Sequence, residues 1–274
     1  MGTLYLVATP IGNLEDVTLR ALRVLGQVAL VAAEDTRTTR KLLSRHGVSA
    51  RVVPYNEHNM ARRTPELMSA LETGNVALVS EAGMPAVSDP GYELVTAALA
   101  AGHTVSPLPG ASAVIAAVAA SGLPAREFTF LGFLPRRAKE RRDLFARFAD
   151  APGALVVFES PHRVQAALAD LQAALGQRRL AVCRELTKLH EEIFRGTPAE
   201  ALAHFTEPRG EFTIVVEGAT AAPREVSDDE LRAALRKLRA VGVSARDAAA
   251  QVARETGVAR RRVYALSLED GATG

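Results

Sequence analysis

Short apolar runs alternate with amphipathic stretches from the first residue to about 218. Runs at 3–8, 28–33, 51–54, 76–80, 104–107, 128–132, 154–159, 180–185 and 212–217 predict strands. Between them, 17–27, 36–46, 60–73, 89–101, 111–120, 137–149, 161–175 and 197–206 predict helices. Strand and helix in turn mark an α/β protein. The break at Ser121-Gly122-Leu123-Pro124-Ala125 divides it into one α/β domain to about 122 and a second over 126–220. Beyond Gly218 the pattern changes. Ala219-Thr220-Ala221-Ala222-Pro223 reads as a linker to an all-helical tail over 224–274. There Ser227-Asp228-Asp229-Glu230 has capping-box spacing, and Leu231, Leu235 and Leu238 share a helical face. Ser244 opens a second helix, and Gly257 breaks the chain before Arg260-Arg261-Arg262-Val263-Tyr264. The result has helix-turn-helix shape; a small helical cap with solvated arginines is the alternative.

Composition narrows the class. Of 274 residues, 48% are hydrophobic and 23% charged, as in a soluble protein with a sizeable core. The single cysteine, Cys183, excludes an internal disulfide and a multi-cysteine metal site, and its run Leu180-Ala181-Val182-Cys183 places it in a buried strand. Six histidines are scattered without ligand spacing, so no catalytic metal is expected. The first residues form a strand pattern without the basic start of a signal peptide, and no stretch is apolar enough to cross a bilayer. A cytoplasmic protein is expected. The net charge of +2 is small but uneven: 136–147 holds six basic residues against two acidic, and 224–262 ten against six.

The chemistry gathers in loops after strands. Ser80-Glu81-Ala82-Gly83-Met84-Pro85-Ala86-Val87-Ser88-Asp89-Pro90-Gly91 is rich in small residues, acids and prolines, with Asp89 expected to cap the helix at 89. Such a loop lets main-chain groups approach a ligand closely, at the strand ends where open α/β sheets bind ligands. Ala8 to Asp16, Glu34-Asp35-Thr36-Arg37 and Leu108 to Ala113 are three more. One of Glu34 and Asp35 is expected to cap the helix near Thr36, and the helix start after Gly110 suits an anion. No G-x-G-x-x-G and no P-loop is present, which disfavours dehydrogenase and nucleotide-hydrolase chemistry. In the second domain, Glu159-Ser160-Pro161-His162-Arg163 and Arg184-Glu185-Leu186-Thr187-Lys188 bring acids and cations to one rim, or cap helices with ion pairs.

Taken in order, Thr9-Pro10-Ile11-Gly12-Asn13-Leu14, Glu34-Asp35-Thr36-Arg37, the Ser80–Gly91 loop, Pro109-Gly110-Ala111-Ser112, Gly132-Phe133-Leu134-Pro135, the two second-domain motifs, Gly210-Glu211-Phe212 and Val216-Glu217-Gly218 resemble one family. It is the ribosomal RNA small subunit methyltransferase I family of the tetrapyrrole-methylase-like superfamily (class III methyltransferases), and the likeness spans nearly the whole chain. The resemblance implies two α/β domains with S-adenosylmethionine in the cleft between them. It implies methyl transfer to the ribose 2′-oxygen of cytidine 1402 of 16S rRNA, on the assembled small subunit, by a homodimer. Carried over residue by residue, it brings the cofactor to Pro10, Gly12, Asp35, Ser80, Glu81, Ala82, Gly83, Met84, Pro85, Gly110, Ala111, Ser112, Leu131 and Gly132. The family commonly has Asp-Ala-Gly-Thr-Pro where this chain has Glu81-Ala82-Gly83-Met84-Pro85, a longer acid and a lost hydroxyl.

A ribose hydroxyl must lose its proton to attack a sulfonium methyl. Glu159, Glu185 and Lys188 are the candidate bases, Lys188 first; otherwise it holds a phosphate while the proton leaves to water. Arg136, Arg137, Lys139, Arg141, Arg142, Arg163, Arg260, Arg261 and Arg262 are candidate phosphate contacts, which position RNA without reading its sequence. Two rivals stand beside this reading: a methylase of a tetrapyrrole or other small molecule, and a non-enzymatic nucleic-acid-binding regulator acting through the tail.

Overall fold

The computed structural model describes residues 1–219 and 226–269. The chain divides into two compact units, Met1–Ala219 and Thr220–Gly274. The first begins with five parallel strands, β1 (Thr3–Val7), β2 (Leu30–Ala33), β3 (Val52–Pro54), β4 (Val76–Val79) and β5 (Thr104–Leu108), in the order β3-β2-β4-β1-β5. β4, covered on both faces, is buried at every position, as its unbroken apolar run requires. The prolines Pro54 and Pro107 lie on the two edge strands, where a missing N–H costs no ladder bond. Leu25 of α1 (Leu19–Leu25) and Leu43 of α2 (Thr36–Arg45) pack with Val7, Val31 and Val79 on one face. Leu67 and Leu71 of α3 (Met60–Thr73) and Leu94 of α4 (Tyr92–Ala100) pack with Leu4, Ala32 and Leu78 on the other.

The second sheet is mixed. β6 (Phe128–Phe133), β7 (Ala154–Glu159), β8 (Leu180–Arg184), β9 (Glu192–Gly196) and β10 (Phe212–Val216) run in the order β6-β7-β10-β8-β9, and only β6 and β7 pair in parallel. Residues alternate between its faces. Leu155, Val157, Val182 and Ile214 point toward a core shared with α6 (Ala138–Arg147), α7 (Val164–Leu175) and α8 (Pro198–His204). Ala154, Val156, Ala181, Cys183 and Val215 face Val114 and Ala117 of α5 (Ala113–Ser121). The alanine-rich helix that leaves the first sheet thus covers the second. Burial on this face pushes the Cys183 thiol up to about 11, which leaves it an inert packing group.

Three elements differ from expectation. β9 was absent from the pattern: it is an edge strand whose Glu192 and Arg195 break the apolar run, charges that suit an unpaired edge. α7 starts at Val164, later than 161. The helix expected from 89 starts at Tyr92 with Gly91, at φ +146°, as its N-cap, and no side chain caps it. Asp89 is therefore free of the capping role and belongs to the loop.

The tail, described by itself, is α9 (Asp228–Ala240), α10 (Ala245–Thr256) and α11 (Arg260–Glu269) around Leu231, Leu235, Ala248, Val252, Val263 and Leu266. The Ser227–Glu230 capping box forms, Ser244 caps α10, and Gly257 ends it in the left-handed region at φ +70°. Of the expected linker, Thr220 to Pro223 and the neighbouring Arg224 lie outside the described residues. Among the described residues no helix is long and apolar enough to cross a membrane, and no His, Cys, Asp and Glu group could hold a metal.

Candidate functional site

Because the first sheet is wholly parallel, the loops after β1, β2, β4 and β5 all emerge at one rim. Main-chain bonds tie them together. Thr9 and Gly83 exchange N–H···O bonds of 2.9 and 3.0 Å, and the Glu34 carboxylate accepts the Glu81 amide at 3.1 Å. Pro10, Ser80, Gly83 and Pro85 are buried, Met84, Ala111 and Ser112 half-buried, and Gly12, Glu81, Ala82 and Gly110 exposed. Ser80 Oγ donates to the Ala82 and Gly83 carbonyls, holding the loop's turn. Ala86 and Ser88 are held at φ +66° and +64°, a conformation that costs L-residues energy and gathers at functional sites. Ser112 caps α5 through Ile115 N.

The rim is rich in carboxylates. Asp35 caps α2 and pairs with Arg37, whose hydrogen bonds hold its pKa below the usual carboxylate range. Burial, then Asp35, Glu34 and Glu211, push Glu81 up. Burial beside Glu34 and Glu81 pushes Asp89 to about 6, against a hydrogen bond with Ser80 that lowers it. Sequence reasoning spent Asp89 on a helix cap and so missed it. Its signal was there: a second acid, beside Glu81, in a loop of otherwise small and apolar residues.

The second-domain motifs separate into an interface and a clamp. Asn13 N donates to Thr187 Oγ1 at 3.1 Å, and a Cβ on Gly12 would overlap Lys188 Cγ and lie 2.9 Å from the Leu186 carbonyl. Gly12 is required because the Lys188 stem rests on it. Lys188 Nζ bonds Glu185 Oε1 at 2.8 Å and Glu211 Oε2 at 2.9 Å. Burial alone would lower the Lys188 pKa, but those two carboxylates outweigh it and hold it above the usual value. Burial would raise Glu185, and the bonds from Lys188 and the Glu211 amide pull it below. Both carboxylates favour the ammonium form of Lys188, the opposite of what a general base needs. Glu185 is its tied counter-ion.

Glu159 is placed differently. By strand alternation it shares the face of Leu155 and Val157, toward α6–α8 and away from the first sheet's rim. Its carboxylate accepts Ser160 N at 2.7 Å and pairs with Arg163 at 2.6 Å, with no exposed side-chain surface. Arg163 Nη1 in turn grips the Leu134 carbonyl at 3.1 Å. Arg141, expected on phosphate, is buried: it pairs with Asp170 and its Nη1 donates to the carbonyls of Pro135 and Arg136, both at 3.1 Å. Both arginines are internal clamps on one stretch of backbone. Arg142 also reaches Asp170, at 3.0 Å, but stays half-exposed. Arg136, Arg137 and Lys139 are exposed as expected, Arg137 beside Glu140. In the tail Arg260 and Arg261 are exposed, whereas Arg262 pairs with Asp228 at 2.8 Å.

Leu131 and Gly132 lie half-buried where β6 loses register with β7 between Phe130 and Phe133. Gly132 takes φ +69°, and a Cβ there would lie 3.2 Å from Ser88 Oγ, so this bulge abuts the central loop of the first sheet.

A fold of one parallel and one mixed sheet with a loop-built rim is that of a methylase superfamily, and the family model described as Tetrapyrrole (Corrin/Porphyrin) Methylases matches residues 3–202. The chain belongs to that family. A second model, the RsmI C-terminal HTH domain, matches 225–271. Among curated proteins, ribosomal RNA small subunit methyltransferase I of Synechocystis is 49% identical over the full length of both chains. The protein of that name from Escherichia coli O157:H7 is 43% identical over 98% of this chain and 95% of its own. Within the family, the chain groups with the ribosomal RNA small subunit methyltransferase I proteins. Solved structures share the fold at lower identity. A cobalt precorrin-4 methyltransferase has TM-score 0.59 at 18% identity, covering 78% of this chain and 94% of its own. A Thermus thermophilus uroporphyrin-III C-methyl transferase complexed with S-adenyl homocysteine has TM-score 0.56 at 22% identity, covering 79% and 97%.

Proposed function

We propose that this chain transfers the methyl of S-adenosylmethionine to the ribose 2′-oxygen of cytidine 1402 in 16S rRNA, on the small ribosomal subunit and as a homodimer. The reading rests above all on full-length identity to relatives named for that RNA. The small-molecule rival has the family model and distant fold likeness behind it, but no full-length relative of comparable identity among those compared. The regulator rival leaves the rim without a task.

The residues fit the donor. Small side chains over Thr9–Gly12, Ser80–Pro85 and Gly110–Ser112 let main-chain groups approach a nucleoside closely, and Asp35, Glu81 and Asp89 supply acceptors and negative field for hydroxyl, ammonium and sulfonium groups. When bound, S-adenosylmethionine supplies an electrophilic methyl on a sulfonium. The protein's share is then positioning, worth several kcal/mol at about the scale of other oriented reactions, and proton removal. Lys188, Glu185 and Glu211 keep the Gly12 turn against the second sheet. Asp89, raised toward neutral pH beside the β6 bulge, is the rim group best matched to accept the ribose proton. The two sheets act as the two lobes proposed from the sequence, with the acceptor ribose entering between them.

Calorimetry of the purified chain with S-adenosylhomocysteine, and mapping of ribose methylation in small-subunit RNA from cells with and without the gene, test the reading. Micromolar uptake of the product and loss of one methyl at cytidine 1402 are expected. An unchanged methylation map overturns the assignment.

A further inference from the structure

Phe133 is 57% exposed at the end of a strand whose next residue, Leu134, is buried. A large ring in water needs a reason when its surroundings are rigid, and this one has been fixed from three sides. The bulge at Leu131–Gly132, with Gly132 in the left-handed region, shifts β6 by one residue and re-aims the side chain at 133. Phe133 leans on Phe158 with ring centroids 5.4 Å apart, and Phe158 on Phe130 at 4.9 Å, so its outer face is the one left open. Downstream, two arginines grip successive carbonyls, the half-buried Arg163 that of Leu134 and the buried Arg141 those of Pro135 and Arg136. Each is anchored by a buried carboxylate, Glu159 or Asp170. Two ion pairs that hold three successive carbonyls, those of Leu134, Pro135 and Arg136, make a preorganised surface. Three and four residues beyond the ring stand Arg136 and Arg137, both exposed. One residue before it is Gly132, against the central loop at Ser88.

We propose that Phe133 is a stacking platform for the target nucleobase of the RNA, with Arg136 and Arg137 holding the flanking phosphates. An aromatic face beside paired cations is the chemistry that holds an unstacked base in single-stranded RNA. The clamp by Arg141 and Arg163 sets ring and cations at a fixed spacing. The inference rests on the RNA-methylating reading above. The donor's adenine is the other aromatic heterocycle within reach of this rim; the cations that follow Phe133 favour the RNA.

The chain contains no tryptophan, so Phe133→Trp installs a single reporter. With unmethylated small ribosomal subunits its emission is expected to fall on binding, and with S-adenosylhomocysteine alone to stay unchanged. Phe133→Ala is expected to lower kcat/KM for subunits by about 5- to 100-fold, the scale of one base–aromatic stack, with S-adenosylhomocysteine affinity within about twofold of the parent. Phe133→Tyr restores activity, and Phe133→Leu, apolar but without a π face, does not. Quenching by S-adenosylhomocysteine, or a parallel loss of its affinity in Phe133→Ala, would move the platform to the donor and overturn the proposal. So would full activity of Phe133→Leu. A parent protein that methylates nothing while the reporter still responds to subunits sinks the functional reading and leaves the platform standing.

Discussion

At the scale of single residues, the most consequential finding is where protons sit. Lys188 resembles a base in sequence, yet two carboxylates within 2.9 Å favour its ammonium form. Asp89 resembles a helix cap, yet burial among acids lifts it to about 6 from an ordinary 3.8. The folded protein therefore binds the Asp89 proton more tightly than the unfolded chain. Ionised at neutral pH the group costs stability, and the cost fades as pH falls through 6 and is gone below about 4. Asp89→Asn is expected to stabilise by about 1–2 kcal/mol at pH 7.5, less than the full shift implies because part of the solvent shell remains. At pH 4 the gain should vanish in urea titrations of the two proteins. The same variant should lose about 100-fold in kcat and the ascending limb of the pH–rate profile near 6. An unchanged profile removes Asp89 from the chemistry. Lys188→Met should instead disturb donor affinity through the Gly12 turn and leave the pH profile's shape intact.

At the scale of elements, α6 and its leading turn show how one basic run divides into inside and outside. Arg141 is 4% exposed and pairs with Asp170; Arg136 and Arg137 point to solvent. Removing one partner of a buried pair strands the other, at about 3–5 kcal/mol. Arg141→Leu should therefore lose that much in chemical denaturation. Arg136→Ala with Arg137→Ala should leave stability within about 0.5 kcal/mol. It should also lower the slope of log affinity for subunits against log salt by about one per lost contact. If the double variant keeps the parent's salt slope, the run does not touch RNA. Periodicity could not make this division: positions 136 and 141 look alike until α7 supplies the Asp170 carboxylate on one side only.

At the scale of the whole molecule, the described parts are two self-sufficient units, each with its own core. Removal of residues 220–274 is expected to leave S-adenosylhomocysteine binding unchanged by calorimetry and to raise KM for subunits, because Arg260 and Arg261 leave with the tail. Sedimentation of the full chain tests the proposed homodimer. A truncated protein with the parent's KM would assign the tail to some other task.

The sequence alone carried the alternation of strand and helix, the Ser227–Glu230 capping box, the four loops of the first rim and the family, because each depends on local periodicity, turn chemistry or motif order. β9 stayed hidden because Glu192 and Arg195 interrupt its apolar run. Only the tertiary structure decided which face Glu159 occupies, which arginines are clamps and that Lys188 is a strut. Each of those facts is a pairing between residues distant in the chain: Arg141 with Asp170, Glu159 with the fold of its sheet, Lys188 with Glu211. A side chain's charge is written in the sequence. Whether that charge meets water, substrate or a buried partner is set by which surfaces the fold brings together.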